Sequence, residues 1–168
     1  YLSLQNCCLT TIPKQLCSLP IELISLDLSN NFISKIPSNV SWKKLKHLNL
    51  CNNLLREWPS IFEHEKIESL EYLNIGNNLI EAINPNQSPL HNLKTLILSN
   101  NYLTEFPQWI KDCTELTILN ISQNSMMKNF DLSSLCIMPN LKILDVSSVK
   151  IDKIPMKMNE SLLILIVS

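Results

Sequence analysis

The sequence predicts an α/β solenoid. Short coils stack so that their strands form one parallel sheet on a concave face, with 3₁₀ turns, short helices or irregular backbone on the convex face. Three observations predict it. The stretch "LDLSNNFISKIP" at residues 26–37 returns as "LNLCNNLLREWP" from Leu48, "LNIGNNLIEAIN" from Leu73, "LILSNNYLTEFP" from Leu96, "LNISQNSMMKNF" from Leu119 and "LDVSSVKIDKIP" from Leu144. Self-similarity at a period of about 20 to 50 residues marks a repeat architecture, in which each unit buries its apolar face only against its neighbours. Within each copy the LxL pair has the two-residue period of a strand, so both leucines point inward while the residues between them point away. Finally, the chain has a single Gly, too few for a barrel of many tight turns, and no window holds a long 3.6-residue apolar period.

The elements follow in order. The opening "YLSLQNCCL" already matches the middle of the repeated unit, and complete units begin at Leu23, Leu45, Leu70, Leu93, Leu116 and Leu141, with Leu162 opening a last partial one. Each unit supplies one strand at its LxL. The Asn that follows, at Asn31, Asn53, Asn78, Asn101 and Asn124, sits where the chain leaves the strand. Buried there, it can satisfy backbone groups that otherwise lose roughly 1–3 kcal/mol each to desolvation, so an asparagine ladder is expected. Cys7 and Val149 occupy the same place in the first and sixth units. Cys7 is expected to be buried in the ladder, whereas valine makes no side-chain hydrogen bond, so a distorted coil is expected at Val149.

Pro13, Pro37, Pro59, Pro107 and Pro155 close the units with extended or turn backbone, leaving Val40, Phe62, Trp109 and Ile110 to pack under the convex side. Units this short allow only a turn or two of helix. The unit from Leu116 lacks the IP pair, reading "SMMKNFDLSSLCIMP", and an irregular convex segment is expected there.

The template LxxLxLxxNxLxxIP, filled by Leu23, Leu26, Leu28, Asn31, Ile33, Ile36 and Pro37, resembles the leucine-rich-repeat superfamily over essentially the whole chain. The IP form is similar to repeats of intracellular signalling scaffolds, including Ras-associated repeat proteins and Roco-type kinases, and of Toll-like ectodomains. The resemblance implies a single right-handed domain, 1–168, of about seven repeats. Both ends fall mid-repeat, so a fragment of a larger protein is expected. It also implies a module that binds other proteins, with no catalysis and no cofactor. Uncapped ends are expected to expose apolar layers at Leu2 and Leu4 and at Leu162, Leu165 and Val167, favouring end-to-end association.

Composition narrows the partners. A net charge of −1 and a pI near 6.3 leave no basic footprint for nucleic acid. The longest apolar run, "LLILIV" at residues 162–167, is far short of the roughly 18 residues of a membrane span. The cysteines Cys7, Cys8, Cys17, Cys51, Cys113 and Cys136 are dispersed and unlike the clusters that staple secreted repeat domains, so free thiols and a cytoplasmic location are expected. Cys113 and Cys136 fall at matching convex positions of adjacent units. N-x-S triplets at Asn39, Asn86, Asn120 and Asn159 are about as many as chance supplies in an asparagine-rich chain. No motif for a nucleophile, phosphate loop or metal occurs. His47 and Cys51 lie four residues apart on one strand, about 13 Å at strand rise, too far for a dyad. His64 and His91 fall in connecting segments. Glu63, Glu65, Glu68 and Glu71 beside Lys43, Lys44, Lys46 and Lys66 are expected to form a solvated outer face.

The register assigns the concave columns. One is Ser25, His47, Tyr72, Thr95, Ile118, Ile143 and Ile164; the central one is Ser3, Asp27, Asn49, Asn74, Ile97, Asn120, Asp145 and Ile166; the third is Gln5, Ser29, Cys51, Gly76, Ser99, Ser122, Ser147 and Ser168. The third is small and polar, while the other two turn apolar from Ile97 onward. The expected protein-binding face is therefore Tyr72, Asn74, Thr95, Ile97, Ile118, Asn120, Ile143 and Asp145. Asp27, Asn49 and Asn74 are expected to offer acceptors to a partner.

Overall fold

The computed structural model describes residues 1–18, 22–40, 42–62, 67–128, 130–135, 137–155 and 157–167. His64, Cys136, Ser168 and the charged run 63–66 lie outside the described residues.

Each LxL pair forms a short strand: β1 (Leu2–Ser3), β2 (Ser25–Asp27), β3 (His47–Asn49), β4 (Tyr72–Asn74), β5 (Thr95–Ile97) and β6 (Ile118–Asn120). A separate convex strand β7 (Phe130–Asp131) comes next, followed by β8 (Ile143–Asp145), a second convex strand β9 (Ile151–Lys153) and β10 (Ile164–Ile166). The sheet runs β1-β2-β3-β4-β5-β6-β8-β10 with every pair parallel. Each coil ends by donating to the next: Leu28 N to Asn49 O at 2.8 Å, Leu50 N to Asn74 O at 2.7 Å and Ile75 N to Ile97 O at 2.9 Å. The inward leucines, such as Leu26, Leu48, Leu73, Leu96, Leu119 and Leu144, are almost wholly buried.

The ladder forms as expected. In the middle of the stack Asn78 Nδ2 donates to Leu50 O, Ile75 O and Gly76 O at 3.0–3.1 Å, while its Oδ1 accepts from Leu55 N at 3.0 Å. Asn31, Asn53, Asn101 and Asn124 repeat this pattern, each tying its own strand exit to the preceding coil. The doubled "NN" of the repeat assigns two jobs. The asparagine before each ladder residue has left-handed backbone, with φ between 52° and 55° at Asn30, Asn52, Asn77 and Asn100. Asparagine tolerates that region better than most residues. Gln123 and Ser148 hold the same conformation in the later coils.

Several expectations require correction. Cys7 is exposed, not buried: its Sγ turns back to Gln5 O of its own coil at 3.4 Å and serves no neighbouring coil as the ladder asparagines do. The convex side of the Leu116 unit is more ordered than expected. β7 pairs in parallel with β9, and a 3₁₀ turn at Leu132–Ser134 follows, its first amide region capped by Asp131 accepting from Ser133 N. Phe130, 1% exposed, anchors this pair against Phe106, ring centroids 5.4 Å apart. The coil at Val149 departs as expected: Val149 N bonds back to Val146 O, and β9 follows directly.

Elsewhere the convex layer holds a short helix α1 (Lys14–Ser18) and 3₁₀ turns at Ser60–Phe62 and Gln108–Asp112. Phe62, Trp109 and Ile110 are buried there, with Val40 partly so. In the Leu70 unit, where "INPNQSP" stands for the usual IP ending, Gln87 fills the gap. Its Oε1 accepts from Trp58 Nε1 at 3.0 Å and its Nε2 donates to Phe62 O at 2.6 Å. The apolar surface at the final coil is centred on Leu163, Ile164, Ile166 and Val167, while Leu2, Leu4, Leu162 and Leu165 are half-buried.

Candidate functional site

Strand pairing places the predicted columns side by side. Tyr72 aligns with His47 and Thr95, Thr95 with Ile118, and Ile118 with Ile143, which aligns in turn with Ile164. Asn74 aligns with Ile97, Ile97 with Asn120 and Asn120 with Asp145. All eight predicted residues are half-exposed on the sheet. At the roughly 4.8 Å strand spacing, Ile118, Ile143 and Ile164 form a continuous apolar row flanked diagonally by Ile97 and Ile166. Thr95 and Tyr72 extend its rim, and the Tyr72 ring lies 6.1 Å from that of His47. A shallow depression of about 250 Å³ lies over Tyr1, Asp27, His47, Asn49 and Tyr72.

The polar residues are less available than the sequence implies. Asp27 Oδ1 accepts from Ser29 N at 2.9 Å and from Ser29 Oγ at 2.6 Å, and its Oδ2 accepts from Asn49 Nδ2 at 3.2 Å. Asn49 and Asn74 turn their Oδ1 atoms back to Cys51 N and Gly76 N. Asn120 and Asp145 do the same with Ser122 and Ser147, and Asn120 Nδ2 donates to Asp145 Oδ2 at 3.2 Å. The small third column is thus the donor set for the central one. These polar groups act first as caps of their own strand exits, so Asp27, Asn49 and Asn74 offer a partner only the acceptor capacity that those caps leave. The Asn120–Asp145 pair also interrupts the central column, so the apolar half of the face is carried mainly by the first column.

Burial, then the Asp27 carboxylate, pushes the Cys51 thiol up from its ordinary range, keeping it protonated, and the His47 ring contact is with Tyr72. Burial drives Cys113 to about 12. Cys7, Cys8, Cys17, Cys51 and Cys113 are free thiols. Among the described residues, no group of three or more His, Cys, Asp or Glu side chains could hold a metal, and no helix is long and apolar enough to cross a membrane.

At the start of the strands Glu71 is a clamp within the exposed, solvated charged surface that was expected. Its Oε1 accepts from Lys46 Nζ at 2.7 Å and its Oε2 from Lys94 Nζ at 2.8 Å, joining three coils. Hydrogen bonds from Lys46 and then Lys94 hold its carboxyl at about 2.

Residues 68–126 match the family described as leucine rich repeat, and 22–42 and 44–64 match a second description of the same repeat. The chain belongs to the leucine-rich-repeat family. Among curated relatives, lumican of Bos taurus is 32% identical over 151 residues, covering 86% of this chain and 42% of that protein. The leucine-rich repeat serine/threonine-protein kinase 1 of Mus musculus is 29% identical over 170 residues, covering 82% of this chain and 8% of that protein. The plant peptide hormone receptor RGFR1, solved in complex with RGF2, superposes with a TM-score of 0.65 at 23% identity, covering 94% of this chain and 30% of that one. The chain therefore spans less than half the length of these relatives, and the likeness to RGFR1 concerns the fold.

Proposed function

We propose that this leucine-rich-repeat segment recognises a protein partner through its sheet face, as one part of a longer signalling or scaffold protein. The observation that carries this reading is the row of half-exposed Ile118, Ile143 and Ile164 with Ile97, set beside polar groups already immobilised by internal hydrogen bonds. Apolar area on rigid strands gains about 25 cal/mol per Å² on burial, and little side-chain or backbone entropy remains to be lost when a partner docks. Tyr72, Asn74, Thr95, Asn120 and Asp145 supply the rim that would select the partner. The free thiols, with Cys7 and Cys8 exposed, support a cytoplasmic location.

The test compares the full-length protein with Ile97→Glu/Ile118→Glu by proximity labelling and pull-down in native cells, with circular dichroism as the folding control. Loss of a partner from a folded variant supports the reading. An unchanged partner set places binding elsewhere. A second reading, a regulatory arm of a multidomain GTPase or kinase, is favoured by the similarity to kinase 1. A nucleotide-binding or kinase domain in the same polypeptide, contacting this face in cross-linking, would decide for it.

A further inference from the structure

The flank that follows the sheet carries an apolar stripe that the concave reading leaves unused. The residue after each ladder asparagine points to solvent: Phe32 and Tyr102 are 53% and 52% exposed, Leu54 is 42% exposed, and Leu79 is half-buried. Backbone bonds keep them in line, from Phe32 N to Leu9 O, Leu54 N to Ile33 O, Leu79 N to Leu55 O and Tyr102 N to Ile80 O, all 2.8–2.9 Å. On the sheet side runs the exposed row of left-handed asparagines, joined by Asn52 Nδ2 to Asn30 Oδ1 and by Asn100 Nδ2 to Asn77 Oδ1. On the other side stand exposed charges: Lys35, Arg56 and Glu57 on the earlier coils, Glu81 and Glu105 on the later ones. None of these five has an ion pair among the described residues.

Apart from Glu57, which the axis below sets against the uncharged Ala82, the order of these groups is palindromic. A two-fold axis lying in this surface, between the coils of Leu54 and Leu79, reverses the coils and keeps each residue's offset from its ladder asparagine. It brings Phe32 onto Tyr102 and Leu54 onto Leu79. It also brings Lys35 onto Glu105, each four residues past its ladder asparagine, and Arg56 onto Glu81, each three past. The asparagine rows meet amide to amide, and each amide both donates and accepts. The surface is thus complementary to itself, the condition an isologous contact must meet.

We infer that two copies of this chain pair antiparallel through this flank, leaving both sheet faces open. A stripe of four coils at roughly 5 Å spacing is at the small end of specific interfaces, below about 1,200 Å² in total, so the dimer is reversible.

Sedimentation equilibrium of the full-length protein, over concentrations on the order of 1 to 300 μM, tests the pairing. The expected result is a concentration-dependent dimer. Lys35→Glu and Glu105→Lys each weaken it roughly tenfold or more, because every substitution acts twice across the axis, and the double swap returns it to within about threefold of the parent. Phe32→Glu/Tyr102→Glu, at exposed positions that leave the circular dichroism unchanged, abolishes it. A parent that stays monomeric, association that survives Phe32→Glu/Tyr102→Glu, or a double swap no better than the single reversals would each overturn the inference.

Discussion

Asn78 and Asn52 are the same residue type four and three positions past a strand end, yet they do different work. Asn78 is buried and serves four backbone groups from two coils. Asn52 is exposed, holds a left-handed φ of 54° and shares one hydrogen bond with Asn30. Replacing Asn78 by Ala strands several buried donors and acceptors, and a loss of about 3 kcal/mol or more in urea unfolding is expected. Asn52→Ala is expected to cost about 1 kcal/mol, chiefly from the left-handed backbone. The cysteines divide in the same way. Burial pushes the Cys113 thiol up to about 12, so at pH 8 the native protein is expected to leave it unalkylated while the exposed Cys7 and Cys8 react. Peptide mapping after iodoacetamide treatment, with and without denaturant, checks this.

At the scale of the element, the lateral clamp and the convex strand pair show how neighbouring coils are tied beyond their strands. The Glu71 carboxyl titrates near 2, below its ordinary value of 4.5, because Lys46 and Lys94 hydrogen-bond to its charged form. A depressed folded pKa contributes stability that is present above the unfolded value and lost as pH falls through the folded one. The contribution of Glu71 is therefore expected to disappear between about pH 4.5 and pH 2. Glu71→Gln should flatten the decline of Tm across that window while lowering Tm at neutral pH. Asp131, also held below the usual carboxylate range, chiefly by Ser133 N, loses stabilisation in the same direction, so the variant curve flattens without becoming level. Thermal melts at stepped pH distinguish the two contributions.

Across the whole molecule, stability is passed from coil to coil, and the tie is weakest where the ladder ends. Val149 replaces the ladder asparagine in the coil after that of Asn124, and its N bonds back to Val146 O within its own coil. Repeat stacks open where neighbouring coils are tied least. Hydrogen exchange is therefore expected to be slowest at the amides of Leu50, Ile75 and Leu98, which bond from coil to coil in the middle of the stack, and fastest at Val146 and Ile164. Uniform protection along the sheet would contradict this gradient.

Periodicity by itself determined the fold class, the strand positions, the ladder and the members of the concave columns. The reason is that side-chain period and buried volume in a stack depend only on position within the unit, so LxL and the following Asn mean the same thing in every coil. What only the tertiary structure decided depends on the neighbouring coil. Cys7 has ladder spacing but its thiol is exposed and bonds only to Gln5 O of its own coil; the acceptors of Asp27, Asn49 and Asn74 turn inward because a small donor stands two residues on. Gln87 satisfies Trp58 and Phe62 from another unit, and Phe130 and Ile151 meet as strands only where two adjacent coils bring them side by side. The flank stripe of Phe32, Leu54, Leu79 and Tyr102 was present in the letters at a fixed offset. Its exposure and alignment became visible only with the coils stacked, because a single repeat has no surface on which four side chains can line up.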